Sequence, residues 1–152
     1  MRLQLVGGAL VVCLTASAVA FAATGRNISA KPDLGVGSLS NPPPIVVIGG
    51  YFPVKDTTKN AGGTAAGATV TQYYLSSAGR RTAAGRRAVP RLGAHRSSTR
   101  SATVTVPATV QTGTYSLVAC ADGRHVVREA NERNNCRTAA TKVVVKKPPP
   151  PV

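Results

Sequence analysis

The chain has 152 residues, with 19 Lys and Arg against 5 Asp and Glu, a formal net charge of +14 at pH 7. That length holds one domain with tails and excludes a chain of several domains. The basic excess favours polyanionic neighbours such as acidic glycans, anionic lipid headgroups or nucleic acid, the alternative being an arginine-rich surface that is simply solvated. With no Trp, four Tyr and two Phe, the core has to be built from Val, Ile, Leu and Ala.

Residues 1–22 read as a secretory signal peptide. Arg2 supplies a positive n-region, Leu5 to Leu14 an apolar stretch, and Ala20-Phe21-Ala22 an A-x-A site with cleavage before Ala23. An uncleaved signal anchor is the alternative, because the apolar stretch approaches the ~20 residues that span a bilayer. Cys13 sits inside the apolar stretch behind bulky Val12, which argues against a lipidated cysteine. A flexible lead-in at 23–31 precedes the folded part.

From Pro32 the sequence turns strand-like. Pro32–Leu39 alternates apolar and small residues, and Asn41-Pro42-Pro43-Pro44 breaks it, since proline cannot donate to a ladder. Ile45–Ile48 and Tyr51–Lys59 are the next strands, split by Gly49-Gly50. Asn60-Ala61-Gly62-Gly63 reads as a turn and Ala68–Ser76 as a strand. Ala78–Arg96 reads as a long basic connection. Ser98–Val106, Thr114–Ala121 and Thr138–Val145 complete the set, and the prolines of 147–152 form an extended tail. No window carries a capped amphipathic helix. About seven short strands separated by Gly, Pro and Asn turns imply an all-β protein, an antiparallel β-sandwich.

Without the leader, Cys120 and Cys136 are the only cysteines, at the two ends of a hairpin where they would be cross-strand neighbours. A paired count in an exported chain points to a disulfide, which would support a small core. The intervening Asp122, Glu129, Asn131, Glu132, Asn134 and Asn135 include three of the five acids. They suit turn capping, in which Asp and Asn oxygens accept backbone N–H groups. They are also oxygen donors of the kind Ca²⁺ uses, but the spacing lacks an EF-hand repeat and Arg124, Arg128 and Arg133 are interleaved, so no metal or other cofactor is expected. Tyr115 is placed as the corner tyrosine that ties a strand to its loop.

Arg80, Arg81, Arg86 and Arg87 form an arginine quartet able to bind anions, since guanidinium forks match carboxylate, sulfate and phosphate. A solvated mobile loop is the equal alternative. No aromatic is interleaved to stack on bases, so nucleic acid is a poor partner. For catalysis only His95 and His125 are at hand as imidazole bases, and no G-x-S-x-G elbow, H-E-x-x-H pair or Gly-rich phosphate loop is present. The expectation is that the chain is not an enzyme.

The order and spacing of several short motifs resemble the CARDB family, bacterial cell-adhesion-related modules. These are Pro32-Asp33-Leu34, Lys59-Asn60-Ala61-Gly62, Tyr73-Tyr74-Leu75-Ser76, Arg87-Ala88-Val89-Pro90 and Gly113-Thr114-Tyr115. The ending Asp122…Val127-x-Glu129-x-Asn131-Glu132-x-Asn134-Asn135 is the most specific. The resemblance covers residues 32–146 and implies an immunoglobulin-like sandwich, extracytoplasmic and non-enzymatic, used for adhesion, spacing or accessory roles. Such domains often carry acids after the Tyr-Leu-Ser motif, where this chain has Ser77-Ala78-Gly79-Arg80-Arg81. The expected partners are a cell-surface or extracellular protein or an acidic glycan, with no membrane span left after cleavage. Two rival readings are a secreted polyanion binder and a structural subunit of an envelope complex that docks through its Pro-rich tail.

Overall fold

The computed structural model describes residues 30–151; the expected leader 1–22 and nearly all of the lead-in lie outside them. Eight strands follow one another: β1 (Leu34–Leu39), β2 (Ile45–Val47), β3 (Tyr51–Asn60), β4 (Thr69–Ser77), β5 (Arg80–Val89), β6 (Ser97–Thr105), β7 (Gly113–Cys120) and β8 (Cys136–Lys146). They make an immunoglobulin-like β-sandwich of two sheets, β1-β3-β6 and β2-β8-β7-β4-β5. Every strand pairing is antiparallel except that of β2, which lies parallel to β8 with Ile45 opposite Val144. The prolines before β2 turn the chain onto the second sheet instead of back along the first.

Period-2 alternation decides which side chains enter the core. In β3, Phe52, Val54, Asp56, Thr58 and Asn60 are buried while Tyr51, Pro53, Lys55 and Lys59 face out. From the opposite sheet come Thr71, Tyr73 and Leu75 of β4, Leu117 and Ala119 of β7, and Val143 and Val145 of β8. Small aliphatics fill most of the space, and Tyr73 is the largest fully buried side chain.

The segment expected to be a basic connection is instead β5, ten residues long and hairpinned to β4 through Ala78-Gly79. Those two residues have φ of 46° and 76°, the left-handed pair that a two-residue hairpin turn matched to strand twist requires. Farther along β5, a Cβ on Gly85 would meet the Thr103 carbonyl oxygen at 2.7 Å. Glycine there lets β5, at the edge of one sheet, close against β6, at the edge of the other.

Arg87 departs furthest from the expected anion-binding quartet: it is buried and points into the sandwich. Its Nε and Nη2 donate to Asp56 Oδ1 and Oδ2 at 2.6 and 2.7 Å, and Nη2 also reaches the Ser98 carbonyl at 2.9 Å. Tyr73 donates its hydroxyl to Asp56 Oδ1 at 2.6 Å, and Thr58 bridges Asp56 to Thr71. Burial, then the adjacent Asp56, pushes the Tyr73 phenol well above its ordinary range. Burial pulls the Arg87 guanidinium down, but its bonds to Asp56 outweigh that and hold it above its usual value.

Cys120 and Cys136 are directly opposed across β7 and β8 and joined by a disulfide, with Cα atoms 4.0 Å apart. Tyr115 donates its hydroxyl to the Gln111 carbonyl at 2.9 Å, tying the start of β7 to its incoming loop.

Two expectations concern stability. Asp56→Ala strands a buried guanidinium and should cost about 3–5 kcal/mol in chemical denaturation, whereas Asp56→Ala with Arg87→Ala should cost less than the sum of the two single changes. An Asp56→Ala loss below about 1 kcal/mol would show that the ion pair does not hold the sheets. Cys120→Ser should lose about 3 kcal/mol by the chain-entropy relation, seen as a lower Tm in oxidising buffer; an unchanged Tm would refute a stabilising role.

Candidate functional site

Once Arg87 is taken into the core, the other basic side chains of β5, β6 and the connection between them, the β5–β6 flank, stay at the surface. Arg80, Arg81 and Arg86 are exposed on β5, Arg91 and Arg96 are exposed on the β5–β6 connection, and Arg100 is exposed on β6. Arg81 is held in place. Its guanidinium lies 5.9 Å from the Tyr74 ring centroid, and Nη1 sits 3.7 and 3.8 Å from the Cys120 and Cys136 sulfurs. The strand therefore sorts the quartet: three arginines face solvent and the fourth is spent on Asp56. Sequence alone offered no sign of that division, because an Arg at an inward position of a strand looks like any other surface Arg until its acid is found.

The acids take the opposite part. Asp56, Asp122 and Glu129 are buried. Asp122 Oδ1 accepts from the Thr69 hydroxyl at 2.6 Å and the Val126 N–H at 3.1 Å, and Oδ2 accepts from the Val127 N–H at 2.9 Å. Glu129 accepts the Leu34 N–H and, at 2.7 Å, the Asn135 amide. Glu132 accepts the Glu129 N–H, Asn131 accepts the Arg133 N–H, and Asn134 donates to Asp33. The six residues of the 122–135 segment thus close turns and fasten that segment to the start of β1. Asn131, Glu132 and Asn134 are exposed, and Glu132 lies 3.9 Å from His125 Nδ1.

Asn60, read from sequence as a plain turn residue, proves to be a hub. Its Oδ1 accepts from the Asp33 and Gly62 N–H groups at 3.0 Å each, while its Nδ2 donates to the Thr64, Leu92 and Gly93 carbonyls. The Asn-Ala-Gly-Gly string was the available signal. Gly62 is needed because a Cβ there would fall 2.2 Å from the Lys31 carbonyl oxygen.

A family model, CARDB, matches residues 31–139. The CARDB domain of the PF1109 protein from Pyrococcus furiosus, in complex with di-metal ions, is similar at 27% identity and a TM-score of 0.55, covering 76% of this chain and 94% of that one. The solution structure of the same domain gives a TM-score of 0.51 at 27% identity, covering 76% and 95%. A domain of a candidate cell-surface protein from Methanosarcina acetivorans is 25% identical at a TM-score of 0.54, covering 76% of this chain and 93% of that one. No curated protein matches the chain.

The di-metal ions belong to the Pyrococcus domain. Here, among the described residues, no three His, Cys, Asp or Glu side chains converge. The buried oxygens of Asp122 and Glu129 accept N–H and O–H donors from within the fold, while the buried Asn135 Oδ1 beside Glu129 has no hydrogen-bond partner among the described residues.

Burial raises the Glu129 carboxyl pKa, and Glu132 and Asp122 add to this, against the lowering effect of its bonds to Leu34 and Asn135. A raised pKa means that the folded state holds the proton longer than the unfolded chain. The stability it contributes is present below the unfolded value, about 4.3, and lost as pH climbs through the folded one. The Tm of the wild type minus that of Glu129→Gln should therefore fall as pH rises from about 4 towards neutrality. A difference that is flat or rises would contradict this.

Proposed function

We propose that this chain, which belongs to the CARDB family, is an exported, non-enzymatic interaction module that works at the cell surface or outside the cell and contacts acidic partners through its β5–β6 flank. The observation that carries the reading is the segregation of charge. Three of five carboxylates are buried, Asp33 is half-buried against Asn134, and only Glu132 is exposed, beside the disulfide that Arg81 also touches, so the exposed arginines of the flank far outnumber the exposed carboxylates. Clustered guanidiniums of this kind attract polyanions by long-range field and by fork-shaped hydrogen bonds.

Export is supported by the leader-like residues 1–22 and by the Cys120–Cys136 disulfide, which persists in oxidising compartments. The Methanosarcina neighbour, a candidate cell-surface protein, fits the same setting. Adhesion would then be recognition by shape and charge on a rigid sandwich, with no bond made or broken.

The test is retention of the oxidised domain on a sulfated matrix and on fractionated cell envelope over a salt series. Arg81, Arg86 and Arg100→Ala together should leave the Tm close to wild type. They should also flatten the dependence of log affinity on log salt by up to about one unit per arginine. Retention and slope identical to wild type would refute the flank as the contact.

A further inference from the structure

A cleft of about 400 Å³ opens at the end of the sandwich, between the tip of the β4–β5 hairpin and the β6–β7 connection. One wall is Ser77, Arg80 and Thr82; the other is Thr109, Gln111 and Tyr115. Both walls are built. Ser77 and Arg80 are the last register pair before the two-residue turn, which fixes where Arg80 leaves the strand. Across from it, the Val110 N–H bonds the Pro107 carbonyl at 3.0 Å, Val110 is buried beneath, and the Tyr115 hydroxyl bonds the Gln111 carbonyl.

The lining has an unusual chemical balance. Arg80 is its one charged group, exposed and with no ion pair among the described residues. Three aliphatic hydroxyls and one carboxamide surround it, a half-buried aromatic ring forms an edge, and no carboxylate is present. A guanidinium fork pairs bidentately with a carboxylate or sulfate, hydroxyls and amides exchange hydrogen bonds with ring hydroxyls, and an aromatic edge covers C–H groups. The volume falls in the range of small-ligand sites. A nucleic-acid strand would need several phosphate contacts and exposed rings for its bases, and this cleft offers one cation and one ring whose hydroxyl is engaged.

We propose that this cleft binds a sugar acid unit of an acidic polysaccharide, with Arg80 holding the acid group and Ser77, Thr82, Thr109 and Gln111 engaging the ring hydroxyls. This rests on the reading of an acidic partner and adds a defined ligand-binding point to the diffuse flank.

The test is titration of the oxidised domain with a hyaluronan tetrasaccharide, which carries glucuronate, followed by amide chemical shifts, with chitotetraose as the neutral control. The expected result is perturbation confined to residues 77–82 and 109–115, weaker binding of chitotetraose, and a loss of about tenfold or more in Arg80→Ala. Arg80→Lys should recover part of the affinity, because it keeps the charge and loses the fork. The flank variant Arg81, Arg86 and Arg100→Ala should bind the tetrasaccharide nearly as wild type does. Equal binding by Arg80→Ala, shifts mapping elsewhere, equal binding of chitotetraose, or displacement by oligo-dT would each overturn the cleft assignment. No response to the tetrasaccharide at millimolar concentration would also overturn it, and sulfated-matrix retention measured on the same sample would tell that failure from failure of the acidic-partner reading.

Discussion

Asp56 lies on β3 of the three-stranded sheet and Arg87 on β5 of the five-stranded one, and the bidentate bond between them spans the sandwich. Tyr73 and Thr58 complete the set, so that the carboxylate has donors on both oxygens and the guanidinium has acceptors in Asp56 and the Ser98 carbonyl. A buried ion pair is a poor source of net stability compared with an apolar core, because desolvating both charges costs about what their attraction returns. Its effect is on placement. Any sliding of one sheet over the other would break hydrogen bonds that have no water to replace them, so the sheets keep one relative position.

That constraint matters more in this chain than it would in one with a larger core. The interior is made mostly of Val, Leu and Ala, with Phe52 and a single buried Tyr, and small aliphatic side chains could repack with little penalty. Polar fasteners are distributed accordingly: Asp56–Arg87 in the middle, Asn60 beneath the loops beside β1, and Asp122 and Glu129 under the 122–135 segment. The disulfide closes the same end on which the Glu129 and Asp122 caps act. Each fastener except the disulfide consumes a carboxylate or an amide.

The surface follows from that consumption. Acids used as internal acceptors cannot offset the arginines outside, and the β5–β6 flank is left strongly positive. The structural roles of Asp56, Asp122 and Glu129 and the interaction role proposed for the arginines are therefore two sides of one distribution of charge. Arg80 falls at the junction, close enough to the hairpin tip to belong to a shaped cleft instead of the open flank.

Most strands were legible from alternation alone: Tyr51–Lys59, Ala68–Ser76 and Thr138–Val145 show inward apolar positions at period 2, and Cys120 and Cys136 bracket a hairpin. β5 was not legible, because its inward positions are Thr82, Ala84, Arg87 and Val89, too small or too polar to mark a buried face. The polar string after Cys120 announced turns, but not that Glu129 would cap the N–H of Leu34, 95 residues away. By itself the sequence determined the all-β class, the pairing of the cysteines and the excess of positive charge, since each depends on local pattern or simple count. Which arginine is buried, which acids are withdrawn from the surface and where a cleft opens were decided only by the tertiary structure. The reason is physical: a charged side chain enters a core only when a partner arrives from another sheet, and Asp56 lies 31 residues from Arg87, beyond the reach of any local pattern.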